Sequence, residues 1–197
     1  MTKGEQTREM ILQRSAQVFN RKGYFGTSLT DIMQATGLEK GGIYNYFRSK
    51  DDLALQAFDY SVDRLREEFA AAIKGKYKAI ERLQAIMDVF RKMPDGYPIE
   101  GGCPVLNTTI EADYTHPALR QRARQAMQEW HDFIRRIVER GIEREEICSE
   151  ADPNAIATLL ISSLEGAIAL TTLYNDTIHM RRVVDHLNQY LVSLLCA

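Results

Sequence analysis

Residues 38–50 read LEKGGIYNYFRSK and hold a compact set of groups suited to recognition chemistry. Lys40, Tyr44, Asn45, Tyr46 and Lys50 carry donors and acceptors, while Ile43 and Phe47, four residues apart, form an apolar edge. With that edge turned inward, Lys40, Gly41, Gly42, Tyr44, Asn45 and Tyr46 face outward. Such hydrogen-bonding or very small groups are what a helix laid in a duplex major groove requires. Each glycine costs a helix interior about 1 kcal/mol relative to alanine. Bare backbone at a helix start, however, can approach a phosphate or base edge closely and offer it free N–H groups. Tyr44 and Lys50 can reach phosphates, as can Thr27 and Ser28 just upstream. Residues 1–50 hold eight Lys/Arg against four Asp/Glu, and the remainder seventeen against twenty-three. A basic head on an acidic body suits a polyanionic partner.

The elements that must position these groups read as helices throughout. The chain of 197 residues has five prolines and no run of alternating apolar and polar residues, which points to an all-α protein. The first helix is expected from Thr7 to Lys22, stopped by Gly23. Ser28-Leu29-Thr30-Asp31 is a variant capping box opening a second helix that ends at Thr36-Gly37. A third helix is expected from Lys40 to Phe47, and a fourth, capped by Ser49, to Ile73. A short helix, a turn on Gly37 and a second short helix have the spacing of a helix-turn-helix. Ile80 to Phe90 mark the next helix, before Pro94-Asp95-Gly96. Pro104, Pro117 and Pro153 are each expected at a first helical turn, and a last helix covers about residues 178–195. The expected organisation is a three-helix DNA-binding domain at 1–50, joined through the long fourth helix to a larger helical domain at 51–197.

The segment TREMILQRSAQVFNRKGYFGTSLTDIMQATGLEKGGIYNYFRSKDDL, Thr7 to Leu53, resembles the N-terminal domain of the TetR family of bacterial repressors. The matching features are G-Y-x-x-T-S, the D-I that follows, the A-x-G-like turn, K-G-x-I-Y-x-Y-F and the closing S-K-D-x-L. The resemblance implies DNA contacts at Thr27, Ser28, Lys40, Gly41, Tyr44, Asn45, Tyr46 and Lys50. Glu39 and Tyr46 depart from the family pattern, which more often has serine and histidine there. An acid at the start of the recognition helix bears on base preference, since it can accept from a cytosine amino group.

The family resemblance also implies a body that binds a small molecule and dimerises. Leu159, Leu160, Leu164 and Ile168, then Val183, Val184, Leu187, Leu191 and Leu194, give the last two helices enough apolar surface for a four-helix interface with a second copy. The same stripes also suit packing within one subunit. Candidate effector-pocket walls are Met87, Phe90, Tyr97, Cys103, Asn107, Ile110, Glu111, Met127, Trp130, Ile134, Ala167, Thr171 and Tyr174, bulky apolar groups with a few polar ones. Taken singly, each reads first as core. Glu111 and Glu165 interrupt apolar faces and suit either a cationic or hydrogen-bonding ligand or nearby arginines such as Arg120 and Arg124. The stretch GGCPVLNTTIEAD, residues 101–113, is similar to one branch of the family in which a Gly-Cys pair opens the sixth helix. Some relatives with a cysteine there respond to electrophiles or oxidants. A helix N-terminus lowers a thiol's pKa, so Cys103 stands either as a sensor or as a small buried filler.

Other classes find little support. Cys103, Cys148 and Cys196 lack metal-ligand spacing, and an odd count argues against a disulfide framework. The four histidines form no i, i+4 pair and no nucleophilic triad has a signature, so neither an enzyme nor a metal or cofactor site is expected. No run reads as long and apolar enough for a bilayer. The start, MTKGEQTREM, resembles no targeting segment, and the cytoplasm is the expected compartment. A DNA binder without any effector remains the third alternative.

Overall fold

The computed structural model describes residues 2–93, 98, 100–112 and 116–195. These form helices α1 (Lys3–Gly26), α2 (Leu29–Thr36), α3 (Lys40–Tyr44), α4 (Lys50–Ile73), α5 (Ala79–Lys92), α6 (Pro104–Ala112), α7 (Pro117–Glu143), α8 (Pro153–Tyr174) and α9 (Ile178–Ser193). No strand occurs among the described residues, so the architecture is all-α. Contacts divide the chain into two compact units, residues 1–65 with 99–125, and residues 66–98 with 126–197. The head at 1–50 thus shares its unit with the first part of α4, with α6 and with the start of α7.

In the first unit, α1 begins earlier than expected. Thr2 caps it, accepting from the Glu5 N–H while the Glu5 carboxylate accepts from Thr2, a reciprocal box. Gly23 does not end α1. Its φ of 75° and ψ of 169° break the ladder, and helical geometry resumes as far as Gly26. Ser28 caps α2 as expected, its hydroxyl accepting from the Asp31 N–H at 3.2 Å while Asp31 accepts from the Ser28 N–H at 2.7 Å. The Lys22 ammonium, 2.5 Å from Asp31, and the Ser28 hydroxyl and N–H hold that carboxyl well below the usual carboxylate range. Gly37, at φ 70° and ψ 18°, closes α2 by donating to the Met33 carbonyl.

The expected extent of α3 to Phe47 is corrected. Its final turn tightens, with the Tyr46 N–H donating to the Ile43 carbonyl at 3.0 Å, and the helix ends at Tyr44. The apolar edge nonetheless points inward. Ile43 and Phe47 are buried with Ile11, Leu12, Ile32 and Leu53, and Phe19, Leu29, Met33 and Tyr46 pack partly exposed around them. Ser49 accepts from the Asp52 N–H at 3.1 Å, and the Asp52 carboxylate accepts from the Arg48 N–H at 2.9 Å, so two side chains cap the start of α4.

The second unit packs α5, α8 and α9 with the remainders of α4 and α7. Phe90 stacks on Trp130 with ring centroids 5.0 Å apart and planes within 5°, and on Phe69 at 5.7 Å. Asp152 caps α8, accepting from Asn154 and Ala155, with Pro153 in the first turn as expected. The expectation that no run is apolar enough for a bilayer is corrected. By length and composition α8 is long and apolar enough to cross a membrane, with half of that stretch buried inside the chain. Its apolarity serves two faces. Ile156, Leu160, Leu164 and Ile168 are buried, whereas Leu159, Leu170 and Leu173 are exposed.

Candidate nucleic-acid interface

The residues expected to read a duplex gather on one short stretch, with differing availability. Lys40, Gly41 and Asn45 are exposed, while Gly42, Tyr44 and Tyr46 are half-buried. The Lys40 ammonium lies 5.9 Å from the centroid of the Tyr44 ring, near enough for a weak cation–π contact. Tyr46 packs against the head core. Glu39 occupies the N-cap of α3 without a capping hydrogen bond, which leaves the free N–H groups of that turn uncovered by its side chain.

Neither glycine of the pair is demanded by the fold. Neither has positive φ, unlike Gly23 and Gly37. A Cβ built on Gly41 would meet nothing within 4 Å, and one on Gly42 would make only ordinary contact with Leu38, at 3.5 Å. Alanine therefore fits both positions inside this chain.

The upstream contacts divide. Ser28 is exposed, its hydroxyl held at the mouth of α2 by the capping box. Thr27 is fully buried, and its hydroxyl donates to the Gly23 carbonyl at 2.6 Å. That hydroxyl fastens the end of α1, which leaves the backbone of Thr27 as its route to a phosphate. Lys50 is likewise engaged. Its ammonium donates to the Tyr24 carbonyl at 2.7 Å and lies 4.3 Å from the centroid of the Tyr24 ring.

Sequence reasoning missed Tyr24, which is a hub. Its ring stacks on Phe19 and meets Phe25 and His116 edge-on, and its hydroxyl donates to Asp51. Burial first, then the Asp51 hydrogen bond and charge, push this phenol up to about 12. The signal was in view, since Tyr24 belongs to the G-Y-x-x-T-S motif, but nothing local to it foretells His116 or Asp51.

The expected effector residues do not form one cluster. Met87, Phe90, Trp130, Ile134, Ala167 and Thr171 are buried in the second unit. The Trp130 indole N–H and the Thr171 hydroxyl there are buried without hydrogen-bond partners among the described residues. Asn107 and Glu111 belong to the first unit, where both border a shallow cleft with room for about 40 Å³, walled by Phe19, Tyr24, Phe58 and His116. Cys103 is 1% exposed, so its thiol is shielded from solvent oxidants. Met127 is half-buried, whereas Ile110 and Tyr174 lie on the surface, the latter stacked on His179. Glu165 is buried on α8. Tyr97 and Cys196 fall outside the described residues. No group of three or more metal-ligating side chains occurs among the described residues.

Comparison with known proteins adds to this geometry. Residues 11–57 match the family described as bacterial regulatory proteins, tetR family, and residues 79–187 match the tetracyclin repressor-like C-terminal domain. A TetR transcriptional regulator from Chloroflexus aurantiacus J-10-fl superposes with a TM-score of 0.94 at 44% identity, covering 99% of this chain and 98% of that one. A TetR-family regulator from Cytophaga hutchinsonii does so at 0.89 and 35% identity, over 100% and 98% of the two chains. The HTH-type transcriptional repressor DhaR of Mycobacterium sp. strain GP1 is 25% identical over 82% of this chain and 80% of its own.

Proposed function

The chain belongs to the TetR family of bacterial transcriptional regulators, and on that premise we propose a homodimeric, cytoplasmic repressor that grips a palindromic operator and is released by a small-molecule effector. One observation carries the DNA reading furthest. Two glycines open an exposed helix although neither the backbone nor the packing of this chain asks for them. Glycine is a poorer helix former than alanine, and an external partner accounts for the pair. With no side chains there, the helix start can close on a phosphate or base edge. Lys40, Tyr44 and Ser28 then supply phosphate contacts, and Asn45, Tyr46 and Glu39 meet base edges. Lys50 acts chiefly through Tyr24, which holds the end of α1 in place.

Leu173, Tyr174, Val192 and Leu195, exposed on or near α8 and α9, support a dimer through those helices. Two heads related by a two-fold axis read half-sites about 34–36 Å apart. The unpartnered Trp130 N–H and Thr171 hydroxyl support an effector that brings its own polar groups into the second unit. Release needs a coupling of about 1–3 kcal/mol between effector and DNA, or roughly 5–150-fold in affinity.

Selection of duplexes from a random pool by the purified protein tests this reading. A two-fold symmetric sequence should be enriched. Binding to it should weaken with salt, and Lys40→Ala should lower the log–log slope by about one. Lys40 is the better variant, because Lys50→Ala also releases Tyr24. Enrichment of no sequence would contradict the proposal.

A further inference from the structure

The kink in α1 leaves a problem that α6 solves. Where Gly23 breaks the ladder, the N–H groups that follow lose their helical acceptors, as at any helix start. Two of them are taken by one side chain, 87 and 86 residues away. The Tyr24 N–H donates to Glu111 Oε2 and the Phe25 N–H to Oε1, each at 2.8 Å. A carboxylate at such an N-terminus is favoured by charge as well as by hydrogen bonding. The fit is close: a Cβ on Gly23 would stand 2.5 Å from both Glu111 oxygens.

Above the kink, Asn107, one helical turn before Glu111, holds α1 again. Its amide donates to Asn20 Oδ1 at 3.0 Å and to the Gly101 carbonyl at 2.8 Å, and the Asn20 amide donates to the carbonyls of Glu100 and Gly102. Below the kink, the clasped segment leads directly to the operator-facing side. Thr27 ties back to the Gly23 carbonyl, and Ser28 starts α2. The position of α6 is thus written into the backbone from residue 20 to residue 28.

We infer that Glu111, seconded by Asn107, is a positioning residue for DNA recognition: it latches α6 to the α1–α2 junction and fixes where Ser28 and the mouth of α2 meet the phosphates. The latch rests on the DNA-binding reading above and adds a residue outside the helix-turn-helix to it. Simple electrostatics expects the opposite sign, because deleting an anion strengthens binding to a polyanion or leaves it alone.

The test compares wild type, Glu111→Ala, Glu111→Gln and Asn107→Ala on two probes, the duplex that wild type selects from a random pool and sheared mixed-sequence DNA. Circular dichroism at the assay temperature verifies folding. Loss of two charge-assisted hydrogen bonds should weaken selected-duplex binding by Glu111→Ala roughly tenfold or more, with mixed-sequence binding unchanged or tighter. Glu111→Gln keeps the volume and one acceptor oxygen, so it should recover part of the loss and remains informative if the alanine variant does not fold. Amide exchange at Tyr24 and Phe25 should accelerate in Glu111→Ala while Ile32 and Ile43 stay protected. Wild-type discrimination in folded Glu111→Gln and Glu111→Ala overturns the latch, as does an equal loss on both probes. A wild type that selects no sequence overturns the DNA reading itself and the latch with it.

Discussion

Gly23→Ala should destabilise the protein by about 3 kcal/mol, near the top of the range for a residue forced into a glycine-only conformation. Two costs combine. The φ of 75° with ψ of 169° lies where L-residues are essentially not found. The new methyl would also meet the Glu111 carboxylate at 2.5 Å, and that carboxylate cannot withdraw without abandoning two backbone N–H groups. Gly37 is the control. Its φ of 70° and ψ of 18° are ordinary left-handed geometry, with nothing within 4 Å of a built Cβ. Gly37→Ala should therefore cost only about 1–2 kcal/mol. Urea melts of both variants, and of Gly23→Ala/Glu111→Ala, separate the terms. The double variant recovers the clash but not the backbone strain. A Gly23→Ala loss that is the same in the wild-type and Glu111→Ala backgrounds would show that Glu111 exerts no pressure on the kink.

The second large effect is at the base of the recognition helix. Phe47→Ala should cost about 3–5 kcal/mol, the usual penalty for truncating a buried aromatic side chain. Phe47 is 2% exposed in a small core with Ile11, Ile32, Ile43 and Leu53, and the Arg8 guanidinium lies 5.4 Å from its ring centroid. A five-residue helix has almost no intrinsic stability, so α3 depends on this anchor and on Ile43. Binding of the selected duplex should disappear together with stability. Asn45→Ala provides the contrast. That side chain is exposed, so the melt should move by less than about 0.5 kcal/mol while duplex binding still falls. A Phe47→Ala protein that melts like wild type would mean that α3 is held by something other than the packing described.

The parts of the fold that were legible in the sequence are those whose physics is local. The Ser28/Asp31 and Ser49/Asp52 pairs, Pro104, Pro117 and Pro153 at first turns and the inward Ile43–Phe47 edge each depend on residues within a turn or two. The Thr2-x-x-Glu5 box carried the same signature and was passed over, so α1 starts sooner than expected. The Gly23 break was visible, but not that helix resumes beyond it, because the compensating acceptor is Glu111 on α6. Glu111 read equally well as a ligand contact or an arginine partner, since a carboxylate serving backbone N–H groups so far along the chain leaves no periodic trace. The intramolecular partners of Thr27 and Lys50 were hidden for a similar reason. Their residue types suit DNA, and only the packing reveals that Thr27 is buried and that Lys50 spends a donor on Tyr24. The glycine pair ran the other way. Its oddity was plain from sequence, and the structure sharpened it by removing the internal explanations.

The most direct measurement is methylation protection on the selected duplex, which reports guanine N7 in the major groove and adenine N3 in the minor groove separately. A recognition helix led by Gly41 and Gly42 in the major groove of each half-site should shield guanine N7 in two patches related by a two-fold axis, about one helical turn apart. Asn45→Ala should thin both patches alike. Shielding confined to adenine N3, or a single unpaired patch, would contradict a paired major-groove reader.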